Sequence, residues 1–225
     1  MMDSRRIVFV LMVFGVCVMS DGQDHQGKPA VDQLKIYQRL FQQRRADHKE
    51  AVQTILNFRD YVKQQKMVTI IAGKSFEVLE QNQVILREAG YIPGMDFPTD
   101  EEVRDALSQT LENTAFMGEV LLHLPDITHA LLRDNKPWQL LFTWGIFFAT
   151  QSKLLDKNSD KFMYLVSQEL GIAEKDPAYT NPYSRSSQQG KGGSPPGTNQ
   201  ASSNKGKKVK KFKKGPQLSR QFGDL

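Results

Sequence analysis

From Val31 to Gln65 the chain runs VDQLKIYQRLFQQRRADHKEAVQTILNFRDYVKQQ with neither glycine nor proline. Nothing in such a run interrupts a helical hydrogen-bond ladder, and its apolar residues recur at helical spacing. Leu34, Phe41, Ile55 and Val62 share one seven-residue row, and Tyr37, Ala51 and Phe58 share its companion. The pattern predicts an amphipathic helix of coiled-coil type. Arg44 and His48 interrupt the seam, which favours packing against other helices of the same chain over a free dimeric rod, so a monomer is expected. Asp47, His48 and Glu50 read as a solvated charged face, because adjacent helical positions diverge.

The remainder of the body repeats the helical theme. A second helix is expected over residues 67 to 89, where Ile70, Phe76, Leu79 and Ile85 recur and Gly90 supplies a stop. The segment GYIPGMDFP, with two glycines and two prolines, cannot continue it. Thr99 followed by Glu102 has the form of a capping box, and Val103, Leu107, Leu111, Thr114, Met117 and Leu121 form the stripe of the helix it opens. Pro125 closes or kinks that helix, and a short segment over 126 to 133 follows. Pro137 suits the first helical position of PWQLLFTWGIFFATQSKLL, which is apolar around most of its circumference and is therefore expected to be the central, most enclosed helix. A last helix lies between an Asn158 or Ser159 cap and the Gly171 stop. No alternating strand pattern is long enough to trust. The fold class is all-α: a compact domain of about five to six helices over 31–176, with Phe116, Trp138, Trp144 and Phe148 as core aromatics. Trp138, Phe142, Trp144, Phe147 and Phe148 are dense enough to line a ligand cavity, but filling a small helical core is the simpler use of them.

The two ends of the chain carry different signals. Arg5 and Arg6 precede an apolar run from Ile7 to Met19, with Val18, Met19 and Ser20 at a plausible cleavage point, so residues 1–20 read as a signal peptide and 21–30 as a flexible segment. The run is shorter than the roughly twenty residues a membrane-spanning helix needs, so no stable membrane insertion is expected. Cleavage would remove Cys17, the single cysteine, leaving a chain that folds without disulfides in an oxidising compartment. Residues 177–204 are rich in Ser, Gly and Gln and have little to bury, which predicts a disordered linker. Residues 205–225 hold the basic charge, eight Lys/Arg against one acidic residue, whereas residues 21–204 hold 20 Lys/Arg against 23 Asp/Glu. Lys205, Lys207, Lys208, Lys210, Lys211, Lys213 and Lys214 are candidate polyanion contacts. No helical face organises them, so sequence-specific nucleic-acid binding is not expected. Phe222, Gly223, Asp224 and Leu225 resemble a degenerate endoplasmic-reticulum retrieval address.

Catalytic signatures are missing from the sequence. Gly73, Lys74 and Ser75 mimic the end of a phosphate-binding loop, but Val68 stands where its first glycine belongs. His123 and His129 are six apart with Pro125 between them, a spacing unsuited to a shared metal. No cysteine remains for thiol chemistry or for cysteine-ligated zinc. Neither cofactor nor metal nor enzymatic activity is expected.

The strings ENTAFMGEVLLHLP (112–125), PWQLLFTWGIFF (137–148), SQELGIAEKD (167–176) and KGPQLSR (214–220) resemble the coiled-coil domain-containing protein 134 family, from about Leu34 through Tyr183 and again at the carboxyl end. The resemblance implies a helical, non-catalytic protein of the endoplasmic-reticulum lumen, partly secreted. It further implies association with the lumenal chaperone endoplasmin, control of that chaperone's N-glycosylation, and through it maturation of client receptors such as Wnt co-receptors. Two alternatives accompany it: a secreted, cytokine-like helical ligand that dampens MAP-kinase signalling, and a nuclear adaptor using the basic tail. The leader favours the lumen over the nucleus. FGDL departs from the usual retrieval pattern at Phe222 and Gly223, so leakage to the medium is expected.

Overall fold

A computed structural model describes residues 30–183. The chain divides into two units, Met1–Lys191 and Gly192–Leu225, and every described residue belongs to the first. The leader, the linker beyond Tyr183, the tail lysines and the FGDL end lie outside the described residues. The fold is all-α: the described residues form six helices and no strand. They are α1 (Ala30–Leu56), α2 (Tyr61–Glu88), α3 (Glu101–His123), α4 (Pro125–Asp134), α5 (Lys136–Ser152) and α6 (Lys157–Leu170).

The long first helix of the sequence reading is broken in two. Arg59 takes a left-handed φ of 49°, and the Asp60 carboxylate accepts the Lys63 amide at 3.2 Å, capping a new helix. Gln64 completes the corner: its side-chain amide donates to the Ile55 and Leu56 carbonyls at 3.3 and 3.2 Å, satisfying acceptors that the end of α1 leaves open. The helical phase restarts at the cap. Val62, expected on the buried row, is consequently 71% exposed, while Phe41, Ala51 and Ile55 are buried as their rows require. In α2 the inward face runs through Val68, Ile71, Ala72, Phe76 and Leu79, and Ile70 is exposed. Gly90, at φ 68°, turns the chain out of this helix.

The central helix is α3, not α5. Every residue from Thr114 to Leu122 is buried, and α3 packs against all five other helices. It opens one residue later than the Thr99 reading, with the Asp100 carboxylate accepting the Val103 amide at 3.0 Å. Its small residues let neighbours come close. A Cβ on Gly118 would stand 2.8 Å from Cγ2 of Val166, and one on Gly145 of α5 would stand 2.5 Å from Oγ1 of Thr114. The sequence points to α5 because α5 is the more apolar helix, but much of that apolar surface faces outward: Leu140 is 72% exposed and Phe147 57%.

Caps define the remaining joints. Pro125 opens α4; the Asn135 side chain accepts the Trp138 amide at 3.3 Å with Pro137 second in α5. Asp156, rather than Asn158 or Ser159, caps α6, and Gly171 closes it at φ 76°. The body extends past the expected boundary at residue 176. The Tyr179 hydroxyl donates to Glu169 at 2.8 Å, and the Asn181 amide donates to the buried Leu122 carbonyl at 2.8 Å. The Tyr183 ring rests 4.3 Å, centroid to centroid, from that of His123. A short polar stretch is thus held by hydrogen bonds and ring contacts where composition alone suggested nothing to bury.

Candidate protein-interaction surface

An open groove of about 440 Å³ lies between the carboxyl end of α2, the segment following it and the outer face of α5. Leu86, Tyr91, Ile92, Trp144 and Phe147 give it an apolar lining, and Arg87 is its one charged group. Leu140, Trp144 and Phe147 stand at positions i, i+4 and i+7 of α5, which places them on one face of that helix. The far wall is firmly held. The Tyr91 hydroxyl reaches the carbonyls of Met95 and Asp96, at 3.3 and 3.2 Å, and its ring lies 6.3 Å from that of Phe148. Burial, followed by the nearby Asp96 carboxylate, pushes the Tyr91 phenol up to about 12, so it remains a donor at any physiological pH. Gly94, at φ 93°, lets the segment turn there against the end of α5. Arg87 pairs with no carboxylate among the described residues.

A second polar feature runs through the interior between α1, α3 and α6. The Arg45 guanidinium pairs with the fully buried Glu119 carboxylate and lies 3.4 Å from the centroid of the Phe162 ring. His123 Nδ1 is 2.9 Å from the Glu119 backbone carbonyl and 3.6 Å from its carboxylate. Two turns earlier along α3, Glu112 stands 3.7 Å from Arg44 Nε. Burial raises the Glu112 carboxyl to about 7, a shift that Arg44 only partly opposes. His48 belongs to this seam and not to a solvated face: it is 3% exposed and its ring stacks on Phe116 at 4.7 Å. Burial first, and then Arg45 and Arg44, lower its pKa to about 3, so the imidazole is neutral in the fold. Arg45, Glu119 and His48 lie between the helices, with Arg44 and Glu112 partly exposed at the edge, and together they hold α1 and α6 on α3.

The residues singled out from the sequence separate accordingly. Phe116 and Phe148 are buried, at 1% and 3% exposure. Trp138 and Trp144 pack against the core from its edge, Trp138 stacked on Phe76 and Trp144 tilted on Phe148, each at 5.2 Å. Gly73, Lys74 and Ser75 lie within α2, where Lys74 pairs with Glu77 at 2.8 Å. His123 and His129 fall on different helices, and His129 stands 3.6 Å from Glu169. Among the described residues no group of three or more His, Cys, Asp or Glu could hold a metal ion, and no helix is long and apolar enough to cross a membrane. Trp144, Phe147 and Phe148, for which filling the core is the simpler expectation from sequence, line the groove instead, and its other wall, from Gln83 to Pro93, carries no sequence signal that ties it to α5.

The family model described as "ERK and JNK pathways, inhibitor" matches residues 22–219. Coiled-coil domain-containing protein 134 of Xenopus tropicalis is 40% identical over 151 residues, and that of Mus musculus 36% over 151 residues. The chain belongs to the coiled-coil domain-containing protein 134 family. Each alignment takes in 67% of this chain and 66% of the relative, so the chain spans just under two thirds of the length of the curated family members it matches. No solved structure gives a significant match. The family match reaches beyond the described body at both ends, across the linker and into the basic tail.

Proposed function

We propose that the chain is a non-enzymatic, protein-binding adaptor that enters the secretory route and restrains signalling through the ERK and JNK pathways. The observation that carries this is the match, over residues 22–219, to a family described by that inhibition. A helical body with an apolar groove open to solvent supports binding to another protein as the means. The leader-like residues 1–20, the single cysteine within them and the acid-leucine end support a lumenal and secreted location.

In the finer form of this reading the lumenal partner is endoplasmin, whose N-glycosylation the chain regulates, and with it the maturation of receptors such as Wnt co-receptors. The resemblance carried by residues 112–125, 137–148 and 167–176 supports that form. The experiment compares cells lacking the protein after two treatments, purified chain added to the medium and chain expressed from within, reading ERK and JNK phosphorylation and co-precipitated endoplasmin. Lower phosphorylation with added protein identifies a secreted modulator. Lower phosphorylation only on expression, with endoplasmin bound, identifies the lumenal adaptor. Unchanged phosphorylation in both arms overturns the proposal. Deleting Phe222 to Leu225 is expected to raise the ratio of medium to cell-associated protein; an unchanged ratio removes the retrieval reading.

A further inference from the structure

The groove beside α5 has a definite shape and charge. Trp144 and Phe147 line it, and with the exposed Leu140 one turn before them on the same face they form an apolar stripe over two turns of α5, about 10 Å at the helical rise. This is the spacing with which a second helix laid alongside interdigitates its own residues at i, i+3 or i+4, and i+7. A cavity of about 440 Å³ is at the small end of the range for ligand pockets and suits one or two large side chains pressed in from such a helix. The wall opposite α5 is fixed in advance by the Tyr91 hydroxyl and by the turn at Gly94, so little ordering would be needed on binding. One charge lines the groove, that of Arg87.

We propose that this groove docks an amphipathic helix of another protein, whose apolar stripe lies along Leu140, Trp144 and Phe147 and whose flanking carboxylate pairs with Arg87. The choice of occupant rests on charge complementarity. A second copy of this chain offering the same patch across a two-fold axis would bring Arg87 of each copy to a contact whose lining contains no carboxylate, so the patch is not self-complementary. A basic helix would meet the same repulsion. An acidic amphipathic helix satisfies both the stripe and the cation. The inference rests on the reading of the chain as a protein-binding adaptor and gives that adaptor a face and a partner chemistry.

The test uses the full chain and two synthetic helical peptides, identical in a leucine stripe at heptad spacing, one flanked by glutamate and the other by lysine. Binding is measured by fluorescence anisotropy at low salt. The glutamate peptide is expected to bind about fivefold tighter than its lysine twin, the scale of an exposed pair exchanged for a repulsion. Arg87→Glu should reverse the preference, Phe147→Glu should remove binding of both, and Tyr164→Glu, on an exposed position of α6, should change neither. Circular dichroism checks that each variant keeps its helix content, and the exposure of Phe147 and Arg87 makes both changes compatible with folding. Equal binding of the two peptides to the unaltered chain overturns the proposal, as does a Phe147→Glu chain that still binds them. Concentration-dependent self-association abolished by Phe147→Glu also overturns it, by giving the groove to a second copy. ERK and JNK phosphorylation is read separately. A chain that binds the glutamate peptide with the stated preference yet leaves phosphorylation unchanged supports the groove and overturns the signalling reading.

Discussion

The guanidinium of Arg45 lies 3.4 Å from the centroid of the Phe162 ring while it pairs with Glu119, which has no exposed surface. One side chain from α1 thus joins α3 to α6 through a charge that is largely enclosed. A buried pair of this kind adds little over an apolar replacement, but removing one partner strands the other. Arg45→Met is therefore expected to cost about 3–5 kcal/mol in urea unfolding. Arg45→Met combined with Glu119→Gln should recover most of that loss. Equal destabilisation in the single and double variants would mean that the packing of the arginine stem on Phe162, and not the charge, holds the helices.

The approach of α6 to α3 depends on a residue without a side chain. The missing Cβ of Gly118 would meet Val166 at 2.8 Å and the Phe162 ring at 3.1 Å, and both neighbours are buried. Gly118→Ala gains about 1 kcal/mol of helix propensity but overpacks an enclosed contact, which typically costs about 1–3 kcal/mol. The expected outcome is net destabilisation, relieved by Val166→Ala in the same chain. A thermal melt that rises for Gly118→Ala alone would show that α6 can move aside freely.

Trp144 and Phe142, two residues apart on α5, should respond differently to truncation. Phe142 has no exposed surface and packs edge-on to Phe76, so Phe142→Ala should cost about 3–5 kcal/mol. Trp144 is half-buried at the groove and leaves no enclosed cavity when removed, so Trp144→Ala should cost about 2 kcal/mol, within the transfer cost of a partly buried side chain. The midpoints of chemical denaturation for the two variants check the order, and a larger loss for Trp144→Ala would contradict it.

What was legible in the sequence is what local rules encode. Helix existence followed from period, and the ends at Pro125 and Gly171 followed from chemistry confined to a few residues. The corner at residues 57–60 escaped because its signal is a single aspartate inside an apolar rhythm that runs on from Ala51 and Ile55 through Phe58 to Val62. The centrality of α3 escaped because the expected stripe accounts for one face only, whereas Thr110 and Glu119, polar residues off that stripe, are buried as well. Glu119 is buried because Arg45, 74 residues away, arrives to pair with it. His48 looked solvated for the same reason, since nothing near it in sequence announces Phe116. The groove is likewise a tertiary product: Arg87 and Ile92 meet Phe147 only because the Gly90 turn returns the chain to α5.

Two titratable residues on neighbouring elements give the fold an unusual dependence on pH. Burial raises the Glu112 carboxyl from 4.5 to about 7, so between those values the folded chain holds a proton that the unfolded chain has released, and stability falls as pH rises. Burial lowers the His48 imidazole from 6.5 to about 3, so between those values the unfolded chain takes a proton that the folded chain refuses, and stability falls as pH drops. Where the windows overlap the two slopes oppose each other. The contributions of this pair should leave a plateau from about pH 4.5 to 6.5, with a decline toward 7 from Glu112 and a decline below 4.5 from His48. Glu112→Gln removes one slope, so stability should then rise with pH across the former plateau by up to about 1.4 kcal/mol per unit. His48→Phe keeps a ring against Phe116, relieves a buried Nδ1 that has no hydrogen-bond partner, and should make stability fall with pH across the same range. Urea midpoints of the three chains between pH 3 and 8 decide the matter. Parallel curves for all three would show that Glu112 and His48 titrate in the folded protein as they do in the unfolded chain, and the enclosed α1 to α3 seam would then be open to water.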